Sequence, residues 1–135
     1  MDRSAQLKAM REMAGHSQQS LADALGVHVR TVSRWERGAL QAPDDAFVFL
    51  DDALDRQAAL VEKALGKVAG ASAVQLNYAR SQAEFDAAHP DDGGYFGEAN
   101  AAARQVAFQL MAQGVPFAFD YTEPATIATY EREFI

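Results

Sequence analysis

Three arginines stand at positions 30, 34 and 37, in the stretch VRTVSRWERG. On a helix turning about 100° per residue, Val29, Arg30, Ser33, Arg34 and Arg37 share one arc. Thr31, Val32, Trp35 and Glu36 share the opposite arc and can enter a small core. A guanidinium fork matches the paired acceptors O6 and N7 of guanine in a major groove. The first arc is therefore a candidate DNA-reading face, and a merely solvated arginine surface is the plainer alternative. A second polar group is His89, Asp91 and Asp92, with Glu84 and Asp86 nearby. These residue types bind metals, but HPDDGG reads more simply as a turn-rich polar loop. No nucleophile–base pair and no phosphate loop is visible. The expectation is neither an enzyme nor a metal or cofactor site.

The elements that must hold Arg30 and Arg34 come just before them. Ser17 is a good N-cap, since its hydroxyl can accept from a free backbone N–H. Leu21, Ala22 and Leu25 recur at helical spacing and predict a helix over about 17–25. Gly26 fits the left-handed stop, and Val27 plugs the corner before a second helix at roughly 28–37. An earlier helix over about 5–14, capped by Ser4 or Asp2, turns Leu7, Met10 and Ala14 inward and ends at Gly15.

LADALGV followed by TVSRWERG resembles the helix-turn-helix of Cro/C1-type (XRE) regulators, over about residues 7–40. The resemblance implies a bundle of four or five helices and a dimer on a two-fold operator. Carried over by position, Val29, Arg30, Ser33 and Arg34 approach bases. Gln18 and Arg37 hold phosphates, and Arg11 with Glu36 forms a buried ion pair that fixes helix orientation. Such a pair need not stabilise, because desolvation can cancel its Coulomb attraction. Two residues depart from the pattern. His28, grouped with the DNA-contacting residues, stands where Ser or Thr often caps the recognition helix. His16 replaces a common apolar residue and predicts a wetter corner.

Net charge is −7 over 135 residues, which is unfavourable for a DNA binder until it is divided. Residues 1–42 hold six Lys/Arg against four Asp/Glu, while residues 43–135 hold six against fifteen. The first part is +2 and the rest −9, so phosphate meets the cationic part and repels the other. There is no cysteine, hence no disulfide framework or thiolate metal site. No apolar run is long enough to span a membrane. The N-terminus carries no secretion signal, and a cytoplasmic location is expected.

Downstream, Pro43, Asp44 and Asp45 mark a helix start. The helical signal continues to about Val68 through Phe47, Leu50, Leu54, Val61 and Ala64, with Gln57 interrupting it. This stretch admits two helices. Small residues at 69–72 mark a boundary, giving a DNA-binding domain with linker helix over 1–69 and a second domain over 70–135. In the second domain AVQLNYA alternates as a strand, and a short helix begins at Ser81. A firm helix spans EANAAARQVAFQLMAQ with Val106, Leu110 and Met111 inward, and VPFAFDYT is another strand. A last helix from Pro124 is expected. The fold class is α+β: an all-α helix-turn-helix bundle, then a small β–α–α–β domain.

Two strands alone make no stable sheet. The aligned Phe117, Phe119 and Tyr121 therefore predict dimerisation, with a four-stranded sheet shared by two copies. The element order, with Tyr78, Arg80, Phe85 and Pro90, also resembles small regulators encoded beside phage anti-CRISPR genes. That resemblance implies autorepression of a short phage or mobile-element operon. The leading expectation is a homodimeric repressor on an inverted-repeat operator. Alternatives are an antitoxin-type regulator whose acidic half binds a partner protein, and a small-molecule sensor.

Overall fold

The computed structural model describes residues 2–121. The tail, with its expected helix from Pro124, lies outside the described residues. The chain divides into two compact units, one through Arg56 and one from Gln57 onward.

The first unit contains α1 (Ser4–Met13), α2 (Gln18–Leu25), α3 (Val29–Glu36) and the start of α4 (Asp44–Lys67). Leu7 and Met10 from α1, Leu21 and Ala22 from α2, Val32 and Trp35 from α3, and Phe47 and Leu50 from α4 meet in one core. Leu7, Leu21 and Leu50 are completely buried. Each removes apolar surface worth about 1.5–3 kcal/mol from water. Helix α1 starts at Ser4, one residue earlier than expected. Its first turn is held by Asp2, whose carboxylate accepts from the Ser4 amide at 2.9 Å. Helix α4 is one helix, not two. It continues through Gln57, which is itself buried and donates from Nε2 to Gln105 Oε1 at 2.8 Å.

The second unit takes in the later part of α4 because Val61 and Val68 pack into its core. It continues with β1 (Val74–Tyr78), α5 (Gln82–Ala88), α6 (Phe96–Ala112) and β2 (Phe117–Tyr121). The two strands pair in parallel, with Val74 opposite Phe117, Leu76 opposite Phe119 and Tyr78 opposite Tyr121. A parallel pair needs a long crossover, here supplied by α5 and α6. Helix α6 packs Ala102, Val106, Ala107 and Leu110 against Val74 and Leu76. Its small side chains permit that close packing. The buried Asn100 brackets the end of β1. Its Oδ1 accepts from the Ala79 amide at 3.0 Å and its Nδ2 donates to the Ala79 carbonyl at 2.8 Å. Both backbone groups would otherwise be stranded where the strand stops. Met111, expected inward, is 62% exposed and belongs to the outer side of α6.

Candidate nucleic-acid interface

Local chemistry builds the α2–α3 corner. Ser17 caps α2 by accepting from the Ser20 amide at 3.0 Å. Gly26 ends α2 at φ 68°, a left-handed backbone that glycine adopts without steric cost. The next residues, Val27 and His28, make the turn. His28 then caps α3, its ring Nδ1 accepting from the Arg30 amide at 3.0 Å. An imidazole thus does here the work that a Ser or Thr hydroxyl does in the resembling pattern.

The corner around His16 is packed rather than wet. His16 is buried, its Nδ1 lies 2.8 Å from Ser20 Oγ, and its ring meets Phe49 edge-on at 5.2 Å.

Helix α3 presents two faces. Val32 and Trp35 are buried, whereas Arg30, Arg34 and Arg37 are exposed and Ser33 is half-buried. None of the three arginines makes an ion pair among the described residues. Arg37 caps the C-terminal end of α3, and its Nε is 3.4 Å from the Ser33 carbonyl. Val29 differs from the expected arc. It is half-buried and packs against the helical core, because the first turn of α3 lies over the α2–α3 corner.

Behind this face, Arg11 and Glu36 join α1 to α3. Arg11 Nε is 2.6 Å from Glu36 Oε2 and Nη2 is 3.0 Å from Oε1. Arg11 Nη1 also donates to the His16 carbonyl at 2.8 Å. Gln18 completes the group, donating from Nε2 to Glu36 Oε1 at 3.0 Å. Burial pushes the Glu36 carboxyl up, but hydrogen bonds from Arg11 and Gln18 and the charges of Arg11 and Lys8 hold it below its ordinary value. One proton of the Gln18 amide is thus committed within the protein. Spacing along the sequence could not reveal this, because Gln18 and Glu36 lie 18 residues apart.

In the second unit, the three aromatic residues of β2 do not behave alike. Phe117 packs partly into the unit's own core, while Phe119 and Tyr121 are 42% and 50% exposed. The Phe119 ring lies edge-on to Tyr78 at 5.4 Å and to Phe117 at 5.8 Å. Arg80 stacks over Tyr121 at 3.9 Å, and Arg104 donates to the Tyr78 hydroxyl. Arg80 and Arg104 are the only cationic side chains between residues 70 and 121, and both sit on this aromatic cluster. The scarcity of cations in that stretch was the available signal for them.

Among the described residues, no group of three or more His, Cys, Asp or Glu side chains is placed to hold a metal. His89 and Asp92 approach to 3.4 Å as a pair only. Among the described residues no helix is long and apolar enough to cross a membrane.

Residues 7–50 match the helix-turn-helix family model. The match takes in α1 from Leu7 onward, all of α2 and α3, and the start of α4, the elements that carry the arginine face. Comparison with curated proteins finds no match.

Proposed function

We propose that the chain is a DNA-binding transcriptional regulator, reading DNA through the helix-turn-helix matched over residues 7–50 and acting as a homodimeric repressor on an inverted-repeat operator. The observation that carries this reading is the exposed, unpaired Arg30 and Arg34 on a helix whose other face is buried. Such a helix can enter a major groove with its first residues at base edges. Arg30 and Arg34 read purines, and Ser33 adds a polar contact. Val29, half-buried, leaves only part of its surface for a thymine methyl or a sugar. Arg37 holds a backbone phosphate, and Gln18 does so with the amide valences that Glu36 leaves open.

One such helix buries little DNA surface, so two copies are needed for tight specific binding. The exposed Phe119 and Tyr121 on a two-stranded sheet support pairing through β2. Two sheets joined at that strand would give four strands and remove two open edges. Occupancy of a promoter would then block transcription, with autoregulation of a short phage or mobile-element operon as the natural setting. Sedimentation and titration with duplexes selected from a random pool test the proposal. A dimer that enriches an inverted repeat supports it, and a monomer without sequence preference rejects it.

One observation favours a second reading. Phe108 and Met111 are 71% and 62% exposed on α6, in the strongly acidic part of the chain. That exposed apolar pair suits a partner protein, as in an antitoxin-type regulator. Co-purification of a stoichiometric second chain would select this reading.

A further inference from the structure

We propose that Phe108 and Met111 form a second layer of the homodimer interface, so that two copies joined at β2 also pack α6 against α6. The inference rests on the homodimer reading and names the helix face that completes the contact.

The strand register puts Phe117, Phe119 and Tyr121 opposite Val74, Leu76 and Tyr78. Val74 and Leu76 face α6, and side chains two apart on a strand share a face. The β2 aromatics therefore stand on the sheet face that α6 covers. The cover is incomplete: Phe119 and Tyr121 are 42% and 50% exposed, and with Tyr78, Arg104 and Asp120 they line an open groove beside α6. Arg104, Phe108 and Met111 fall within about 60° of helical arc, so the exposed Phe108 and Met111 continue the wall that Arg104 begins. The opposite flank of α6 is taken, since Gln105 there is bonded to Gln57 of α4.

A two-fold axis at the β2 edge keeps both α6 helices on one face of the joined sheet. Helix α6 rests on both strands. Two copies would thus set their α6 helices two to three strand spacings apart, roughly 10–14 Å. Helices pack at roughly 8–10 Å, with the distance set by the side chains between them. Phe108 and Met111 from each copy are large enough to fill the remainder above the aromatic rings.

Area gives the same answer. Phe119 and Tyr121 together offer about one aromatic side chain of exposed surface per copy, roughly 150–250 Å². Over two copies this falls well below the roughly 1,000 Å² that a specific interface needs. Phe108 and Met111, at 71% and 62% exposure, more than double it.

Charge selects a second copy as the occupant. Between Glu98 and Asp120 the only charged residue is Arg104, and Asp120 shares its groove. Arg80, stacked on Tyr121, is paired with Glu84. Two acidic chains can meet across such a neutral surface without repulsion, whereas a basic protein would be drawn to carboxylates elsewhere.

The test uses the full chain. Phe108→Glu should keep the wild-type circular dichroism and raise the dimer dissociation constant in sedimentation by about a hundredfold or more, as expected when a large apolar side chain per copy loses its burial. The chain has no cysteine, so single thiols report proximity directly. Phe108→Cys or Met111→Cys should be linked to its own second copy by a short bis-maleimide, and Gln109→Cys, exposed on the other flank, should not. A Phe108→Glu dimer as tight as the wild type, no link at either position, or a stoichiometric foreign chain lost from Phe108→Glu while the dimer persists would each overturn the inference and leave pairing at β2 intact. A wild-type chain that sediments as a monomer would overturn both.

Discussion

Arg11 Nε and Glu36 Oε2 lie 2.6 Å apart, and Gln18 Nε2 is 3.0 Å from the other oxygen of the same carboxylate. One acidic side chain therefore fixes α1, α2 and α3 together, directly behind the arginine face. The side chains of Arg11 and Glu36 are only 11% and 3% exposed. Removing either partner strands a charge away from water. Glu36→Ala should cost about 3 kcal/mol, whereas replacing both residues by apolar ones of similar volume should cost much less. Trp35, the sole tryptophan, is buried beside Glu36, so its fluorescence during denaturant unfolding measures the first unit. A Glu36→Ala chain as stable as the wild type would refute the bracing role.

The same carboxylate sets a pH dependence. Its folded value is depressed below the ordinary 4.5, because the hydrogen bonds and cationic charges outweigh the opposing effect of burial. The unfolded chain therefore binds the proton more readily than the folded one. The Glu36 contribution is complete above the ordinary value and is lost as pH falls through the folded value. Stability of the first unit should decline on acidification below about 4.5. That decline should be shallower in Glu36→Gln. Identical acid profiles for the two chains would contradict this assignment.

The arginines should divide by role. Arg34→Ala should weaken specific binding by roughly 1–3 kcal/mol and relax preference at one base position. Arg37→Ala should weaken binding equally on all sequences and reduce the salt slope by about one. Titration of each variant against specific and random duplexes over a range of salt separates the two. If Arg34→Ala behaved as a uniform, salt-dependent loss, its place at a base edge would be wrong.

Phe119→Glu should place a charge at the centre of the proposed β2 contact, at a side chain that is already 42% exposed. The variant should sediment as a folded monomer and bind an inverted-repeat duplex far more weakly than the wild type. A Phe119→Glu dimer would move the interface away from β2.

Two buried amides should respond in opposite ways. Asn100 satisfies both backbone groups of Ala79. Asn100→Leu leaves them unpaired, at a cost of roughly 2 kcal/mol. Gln57 Oε1 is buried without a partner among the described residues. Gln57→Leu removes that unmet acceptor and frees Gln105, which is exposed to water. Its stability should be unchanged or higher. Thermal unfolding followed by circular dichroism decides both, and a large loss in Gln57→Leu would contradict this account of the pair.

Much of the fold was legible in the sequence because local chemistry decides it. Ser17, Gly26 and Ser81 act within a few residues of themselves, and the stripes of Leu21 and Val106 repeat at helical spacing. What stayed hidden depends on neighbours far along the chain. The parallel pairing of β1 with β2 follows from how α5 and α6 cross over, which alternation cannot encode. Gln57 reads as a break in an apolar series, because its partner Gln105 lies far along the chain. Met111 lies on the outer side because an alanine-rich α6 does not mark its inner face sharply. At the candidate interface the arc of Arg30 and Arg34 could be read from periodicity. The partial burial of Val29 and the bond from Gln18 to Glu36 needed the packed corner.

Selection of bound duplexes from a random pool by the intact chain tests most directly whether Arg30 and Arg34 read an inverted repeat. The expected result is enrichment of an inverted repeat with half-sites about one helical turn apart, roughly 34 Å, or a multiple of it. In each half-site, guanines should be lost from the selected set when Arg30 or Arg34 is replaced by alanine. A pool that stays random after selection, or a repeat whose bases do not change in those variants, would contradict it.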